Sequence, residues 1–157
     1  MKLSGIGTVG VNLDGTLYTK HGYQNFGEAV VSDLGHYKDF GPQPRYRQAL
    51  TFSYTYGSIN ASVTNNYTSG YEDYTDPNSV NGTTYPATRQ VANYVTWDAQ
   101  ANWKPIKDLS LTFGVKNLAD TNPPASRTSV NFQTGYDAQF TNPIGRAFYL
   151  KAGYKFF

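Results

Sequence analysis

The chain has 157 residues, a net charge of +2, no cysteine, 14 Tyr and 9 Phe, which is room for one modest domain. The small charge gives no case for nucleic-acid binding, and the lack of cysteine excludes a disulfide scaffold and thiol chemistry. No apolar run approaches the roughly 18 residues of a spanning helix, although a transmembrane barrel, whose lumen-facing residues dilute the average, has this same composition.

The chain begins Met1-Lys2-Leu3-Ser4, with one positive charge and no apolar stretch behind it. It is not a secretory signal peptide. The first predicted strand covers 8–18, with Val9, Val11, Leu13 and Leu17 facing one way and Thr8, Asn12, Asp14 and Thr16 the other. The second covers 45–56, where Tyr46, Leu50, Phe52, Tyr54 and Tyr56 oppose Arg45, Arg47, Thr51, Ser53 and Thr55. The third, 59–71, sets Ile59, Ala61, Val63 and Tyr67 against Asn60, Ser62, Thr64, Asn66 and Thr68. The fourth, 91–103, sets Val91, Val95, Trp97, Ala99, Ala101 and Trp103 against Tyr94, Thr96, Asp98, Gln100 and Asn102. The fifth, 109–117, carries Leu109, Leu111, Phe113 and Val115 on its apolar side. The sixth closes the chain, with Phe148, Leu150, Ala152, Tyr154 and Phe156 opposite Tyr149, Lys151, Gly153 and Lys155. A period of two over such lengths predicts long antiparallel strands with one greasy and one wet face.

The connections alternate in length. Gly57-Ser58 and 104–108 are short, whereas 19–44, 72–90 and 118–145 exceed the roughly 12–15 residues usual inside a compact domain. Every second connection is long, so all long loops are expected at one end of the sheet, as in outer-membrane barrels. Tyr46, Tyr54, Tyr56, Tyr67, Trp97 and Trp103 fall towards strand ends on the apolar face, where a membrane barrel carries aromatic girdles. A soluble β-sandwich also alternates, but its strands average about 5–6 residues.

The last third of the chain carries motifs. Asp98-Ala99-Gln100, then the run LSLTFGVKNLADTNPP over 109–124, then Gly135-Tyr136-Asp137 and NPIGRAFYL over 142–150, resemble the C-terminal region of TonB-dependent outer-membrane receptors. Ala119 stands where that family usually has Phe, Asn142 where it has Asp, and Phe157 follows the Phe, aligned with Phe156, on which the family ends. The resemblance covers about 94–156. It implies an all-β, antiparallel up-and-down meander of about six long strands, an open segment of a 22-stranded transmembrane barrel, with residues 1–157 as its C-terminal part. The plug and the TonB-contacting box lie outside this chain. The implied activity is energy-coupled uptake of a scarce nutrient rather than enzymatic catalysis, and the cargo could be a siderophore, carbohydrate, peptide or cobalamin. The implied partners are outer-membrane lipid, the barrel assembly machinery, the rest of the parent barrel and plug, and TonB through that plug. The implied location is the cell outer membrane, with no cofactor. The rival readings are a small oligomeric outer-membrane pore and a soluble β-sandwich binding module.

In the resembling motifs Asn117, Asp120, Pro123, Pro124, Gly135, Tyr136, Asp137, Gly145 and Arg146 are expected to shape strand ends and loops. Phe148, Leu150, Tyr154 and Phe156 resemble the barrel-assembly signal. Lys116, Asp98 and Arg146 are expected in ion pairs on the wet face or its rim. Tyr71, Tyr74, Tyr85 and Arg89 offer rings and charge-assisted donors, and are the ligand-binding candidates. His21 and His36, near Glu28, Asp33 and Asp39, match no metal-site spacing and are expected to be solvated. Glu72, Asp73, Asp76 and Asn78 lack the glycine and terminal Glu of a calcium loop and are expected to form an acidic turn. Ser32, Asp33 and His36 lie too close in sequence to read as a triad, and no metal site is assigned.

Overall fold

The computed structural model describes residues 2–3, 5–38, 41–74, 89–127 and 135–156. Six long strands follow one another: β1 (Gly7–Leu17), β2 (Tyr46–Tyr56), β3 (Ile59–Thr68), β4 (Tyr94–Ile106), β5 (Leu109–Lys116) and β6 (Ala147–Tyr154). Each pairs antiparallel with the next, so the sheet is an up-and-down meander in chain order. A two-residue strand, Lys2–Leu3, folds back on Gly7 and Thr8 and lengthens the sheet by one short member. The described residues contain no helix.

The alternation in sequence becomes two chemically distinct faces because the register keeps like with like. One row across all six strands reads Val11, Phe52, Val63, Ala99, Val115, Phe148. A row on the opposite face reads Thr8, Thr55, Asn60, Asn102, Thr112, Lys151. The polar face is tied together across strands: Asn60 Nδ2 donates to Thr55 Oγ1 (2.7 Å), Thr51 and Thr64 share a hydroxyl bond (2.9 Å), and Asn102 Nδ2 donates to Thr112 Oγ1 (2.8 Å). Such cross-strand pairs are the unit of sheet stabilisation. Among the described residues the apolar face shows no such hydrogen-bonded side-chain pairs across strands, and most of its large side chains stand in the open; Phe113 is 52% and Leu150 73% exposed. Among the described residues no second sheet packs on it, which a sandwich would require. Asn65 is an exception to the pattern: it lies on the apolar face opposite Leu50 and Trp97, and is buried.

The two ends of the sheet differ. At one end β2 turns into β3 through Gly57, whose φ of 55° suits a tight hairpin, and β4 turns into β5 at Lys107-Asp108. The second turn is shorter than the sequence implied, because β4 continues through Lys104 and Pro105 to Ile106. Proline, which cannot donate to the ladder, is accommodated at the register shift between Trp103 and Ile106. The three long connections share the other end. There the third and fourth predicted strands prove too long. β3 stops at Thr68, and Tyr71–Glu72 pairs with Gln90–Val91 in a separate two-stranded ladder. Ser69 and Gly70 make the break: Ser69 bonds Tyr46 through both its backbone N–H and its hydroxyl, and Gly70 N–H is taken by Asn93 Oδ1 (2.7 Å). A Cβ at Gly70 would collide with the Val91 carbonyl.

Candidate functional site

The loop end is where this chain has its interior. Tyr37, Tyr71 and Val91 are buried against one another with Tyr74 beside them. The Tyr37 ring lies 6.4 Å from that of Tyr71 and 5.7 Å, edge-on, from that of Tyr74. Beneath them Asp73, 2% exposed, is a hub. Its carboxylate accepts from Ser126 Oγ (3.1 Å), from Arg127 N–H (3.0 Å) and from Tyr74 N–H (3.0 Å), and Arg89 Nε lies 3.6 Å away. A buried carboxylate needs such partners to be tolerated. Tyr71 donates its hydroxyl to Ser126 Oγ (3.0 Å), and Arg89 Nη2 donates to the Ala125 carbonyl (3.1 Å). Burial pushes the Tyr71 phenol well above its usual range, helped by the nearby Asp137, Asp73 and Tyr37; the Ser126 bond pulls the other way. Of the four ligand-binding candidates, Tyr71 and Arg89 therefore direct their polar groups inward, Tyr74 is half-buried, and Tyr85 lies outside the described residues.

The motif residues meet at the same end. Asn117 and Asp120 have φ of 50° and 55°, left-handed values that Asn and Asp tolerate best among residues with a Cβ. Asn117 exchanges side-chain bonds with Thr121 N–H and C=O (both 2.9 Å). Asp120 Oδ1 accepts from Arg146 N–H (2.7 Å), and Gly145, at φ 74°, lies against the same carboxylate. The Arg146 side chain is exposed, and Pro123 and Pro124 are half-buried. Gly135 C=O accepts from Ser126 N–H (2.9 Å), and Tyr136 bridges Ala125. Asp137, 3% exposed, accepts at Oδ1 from Gln139 N–H (2.8 Å), while its buried Oδ2 has no hydrogen-bond partner among the described residues. Burial holds its carboxyl above the usual aspartate range. Phe140, three residues on, reaches back to β2, where the Arg47 guanidinium lies 5.2 Å from its ring centroid.

Two expectations about the first loop are corrected. His21 Nδ1 lies 2.6 Å from Asp33, which is buried rather than solvated, and His36 Nδ1 lies 3.5 Å from Glu72 in the second loop. In the second loop Asp73 is the hub just described, while Asp76 and Asn78, around which the acidic turn is expected, lie outside the described residues. No group of three or more metal-ligating side chains occurs among the described residues.

On the polar face Lys116 Nζ lies 2.7 Å from Asp98 Oδ2. The same carboxylate accepts from Asn117 N–H (2.9 Å) and Asn66 Nδ2 (3.2 Å). Arg146, expected in such a pair, instead bonds Asp120 through its backbone N–H. Next along β6, Tyr149 packs over Gly114, where any Cβ would strike its ring, and donates its hydroxyl to Gln100 Oε1 (3.1 Å). On the apolar face Phe148 stacks on Phe113 at 6.4 Å, and Tyr154 meets Phe156 at 5.0 Å, just beyond the end of β6. A hollow of about 510 Å³ is a shallow dip in that face lined mainly by carbon.

No family model matches the chain, and no curated protein matches it. Its structure is similar to that of the ferric enterobactin receptor of Pseudomonas aeruginosa, solved in a mutant form, with a TM-score of 0.63 and 19% identity. The match covers 93% of this chain and 20% of that one. The likeness is one of fold. This chain spans about a fifth of that receptor's length.

Proposed function

We propose that this chain is the C-terminal segment of the barrel of a TonB-dependent outer-membrane receptor, working in energy-coupled uptake of a scarce nutrient. The observation that carries the reading is a single sheet with one continuous, exposed apolar face, tied on its other face by polar ladders. The dimensions support it. Tyr46–Tyr56 is 11 residues, about 33 Å from first to last along the strand, or about 25 Å for strands tilted by about 40°, the height of a barrel's lipid-facing band. Tyr46 and Tyr67, with rings 5.9 Å apart, mark the loop end of this band, and Tyr56, Trp103 and Tyr154 the turn end.

In this reading the apolar face meets lipid and the polar face lines the lumen. The loop cap faces outward and offers cargo its exposed surface, Tyr74 included. The terminal apolar-face residues Phe148, Leu150, Tyr154 and Phe156 present the assembly machinery with its strand. The remaining strands, the plug and the TonB contact come from the parent. Six strands cannot close around a solvated lumen, since single-chain barrels begin at about 8. The outer edges of β1 and β6 would leave unpaired backbone groups costing several kcal/mol each in hydrocarbon. Expressed alone without detergent, the chain is therefore expected to aggregate rather than fold as a monomer. Sedimentation of a monodisperse, folded, detergent-free monomer would overturn the reading in favour of a soluble binding module.

A further inference from the structure

The polar face carries a groove that the ion pair of Lys116 and Asp98 divides. On the loop side the hollow is about 410 Å³, bounded by Tyr94, Thr96 and Asn142; on the other side a smaller one of about 110 Å³ is bounded by Thr64, Gln100 and Tyr149. The larger volume is in the range of small-molecule sites. Its chemistry is specific. The two charges neutralise each other at 2.7 Å, and Asp98 accepts two further hydrogen bonds. An anion would have to break that pair to reach the ammonium, and a cation would have to displace it from the carboxylate. What remains in the larger hollow is mainly carbon surface, Ile144 and Ala147 included, edged by the Thr96 hydroxyl, the Asn142 amide and the Tyr94 phenol, which donates to the Asn142 carbonyl (3.1 Å); the smaller one adds the Ser62 and Thr64 hydroxyls and the Gln100 amide. Tyr149 is fixed by Gly114 beneath its ring and by Gln100 at its hydroxyl, so its position is set in advance of any ligand.

We infer that this groove is a subsite for a neutral, polyhydroxylated solute of the oligosaccharide class. Hydroxyls that each donate and accept match the groove's amide and hydroxyl pattern, and the CH faces of a sugar ring match its carbon patches. The inference rests on the lumen reading above and narrows it, because the groove is reachable by a solute only if the polar face borders water. A second groove on the same face contains Arg47, whose guanidinium covers the Phe140 ring; an anionic solute would favour that one.

This segment contributes no cysteine of its own to a labelling test. Single cysteines are placed at Thr96 and Ser62 in the groove, at Thr8 far along the same face, and at Phe113 on the apolar face. They are introduced into the full-length barrel carrying this segment, in outer-membrane vesicles. Labelling by a charged, water-soluble thiol reagent is timed alone, then with maltotriose, cellotriose or chitotriose, then with citrate. The expected result is rapid labelling at Thr96→Cys, Ser62→Cys and Thr8→Cys and slow labelling at Phe113→Cys. At least one trisaccharide slows the two groove positions several-fold and leaves Thr8→Cys unchanged, and Gln100→Leu removes most of that protection. Polar-face labelling with no protection by any trisaccharide, or protection by citrate alone, overturns the subsite and leaves the lumen reading standing. Faster labelling at Phe113→Cys than at the polar positions overturns both.

Discussion

The sheet and the loop cap follow opposite rules of construction. Within the sheet's apolar face Phe148 and Leu150 are mostly exposed, and of its large apolar side chains Val115 is buried. In the cap Tyr37, Tyr71, Val91 and Asp73 are buried by neighbours from the same chain, and the Tyr71 hydroxyl and the Asp73 carboxylate are hydrogen-bonded there. The cap is therefore self-sufficient, whereas the sheet is complete only when something outside the chain covers its apolar side and its edges. The hydrophobic effect stabilises the cap from within. For the sheet it becomes a demand on the surroundings.

The largest effect that separates the two regions is expected at Asp73. Asp73→Ala leaves Ser126 Oγ and Arg127 N–H without their buried acceptor and strips Arg89 of its partner. The expected cost is about 3–5 kcal/mol, seen as lost amide-exchange protection at 71–74, 89–91 and 125–127 while β1 to β6 keep theirs; Asp73→Asn, which retains an acceptor, loses less. Uniform loss across the sheet would show that the regions are not separable. The sheet has its own counterpart. Phe113→Arg should cost about 2–4 kcal/mol in a bilayer, and Thr64→Arg, on the other face, far less, measured by urea unfolding in lipid vesicles. Equal costs would remove the distinction between faces.

A smaller change sharpens the picture of the cap. Tyr71→Phe keeps the ring against Tyr37 and removes one buried hydrogen bond to Ser126, at about 1–2 kcal/mol, again read by exchange in the loops. The smallest effect is one of slope. Burial raises the Asp137 pKa, so the folded cap holds a proton that the unfolded chain releases. That contribution is full below the ordinary aspartate value and is lost as pH rises from there through the raised folded value. Asp137→Asn should flatten this decline in cap protection on the acid side of neutrality. An unchanged slope would place the titrating group elsewhere.

The sheet was legible because its information is local and repetitive. Val9, Val11 and Leu13, or Phe148 and Leu150, announce a face by spacing alone, and the register follows from tight turns such as that at Gly57. The failures came where a local rule met a distant partner. Tyr71 and Val91 keep the alternation of β3 and β4, so the sequence extends those strands; only the Ser69–Tyr46 and Gly70–Asn93 contacts show that the ladder breaks first. Asp33 and Asp73 look like solvated loop acids, and nothing within a few residues shows that His21 and Ser126 will cover them. The Phe140 contact with Arg47 joins positions nearly a hundred residues apart and has no sequence periodicity to betray it. The Tyr149–Gly114 pair did carry a trace, a glycine on the wet side of an otherwise full strand, which marks a close approach.

The tight turns at one end of the sheet and the even number of long strands have a consequence for how such a sheet can be gained or lost. β1 starts and β6 finishes at the same end, and the two run in opposite directions, so a neighbour on either side meets an edge of the sense it would have met had the six strands been absent. A block built this way can be spliced between two strands of a larger wall and change its girth while leaving inside and outside, top and bottom, as they were. Any odd number of strands would turn every following strand, and every loop after it, upside down.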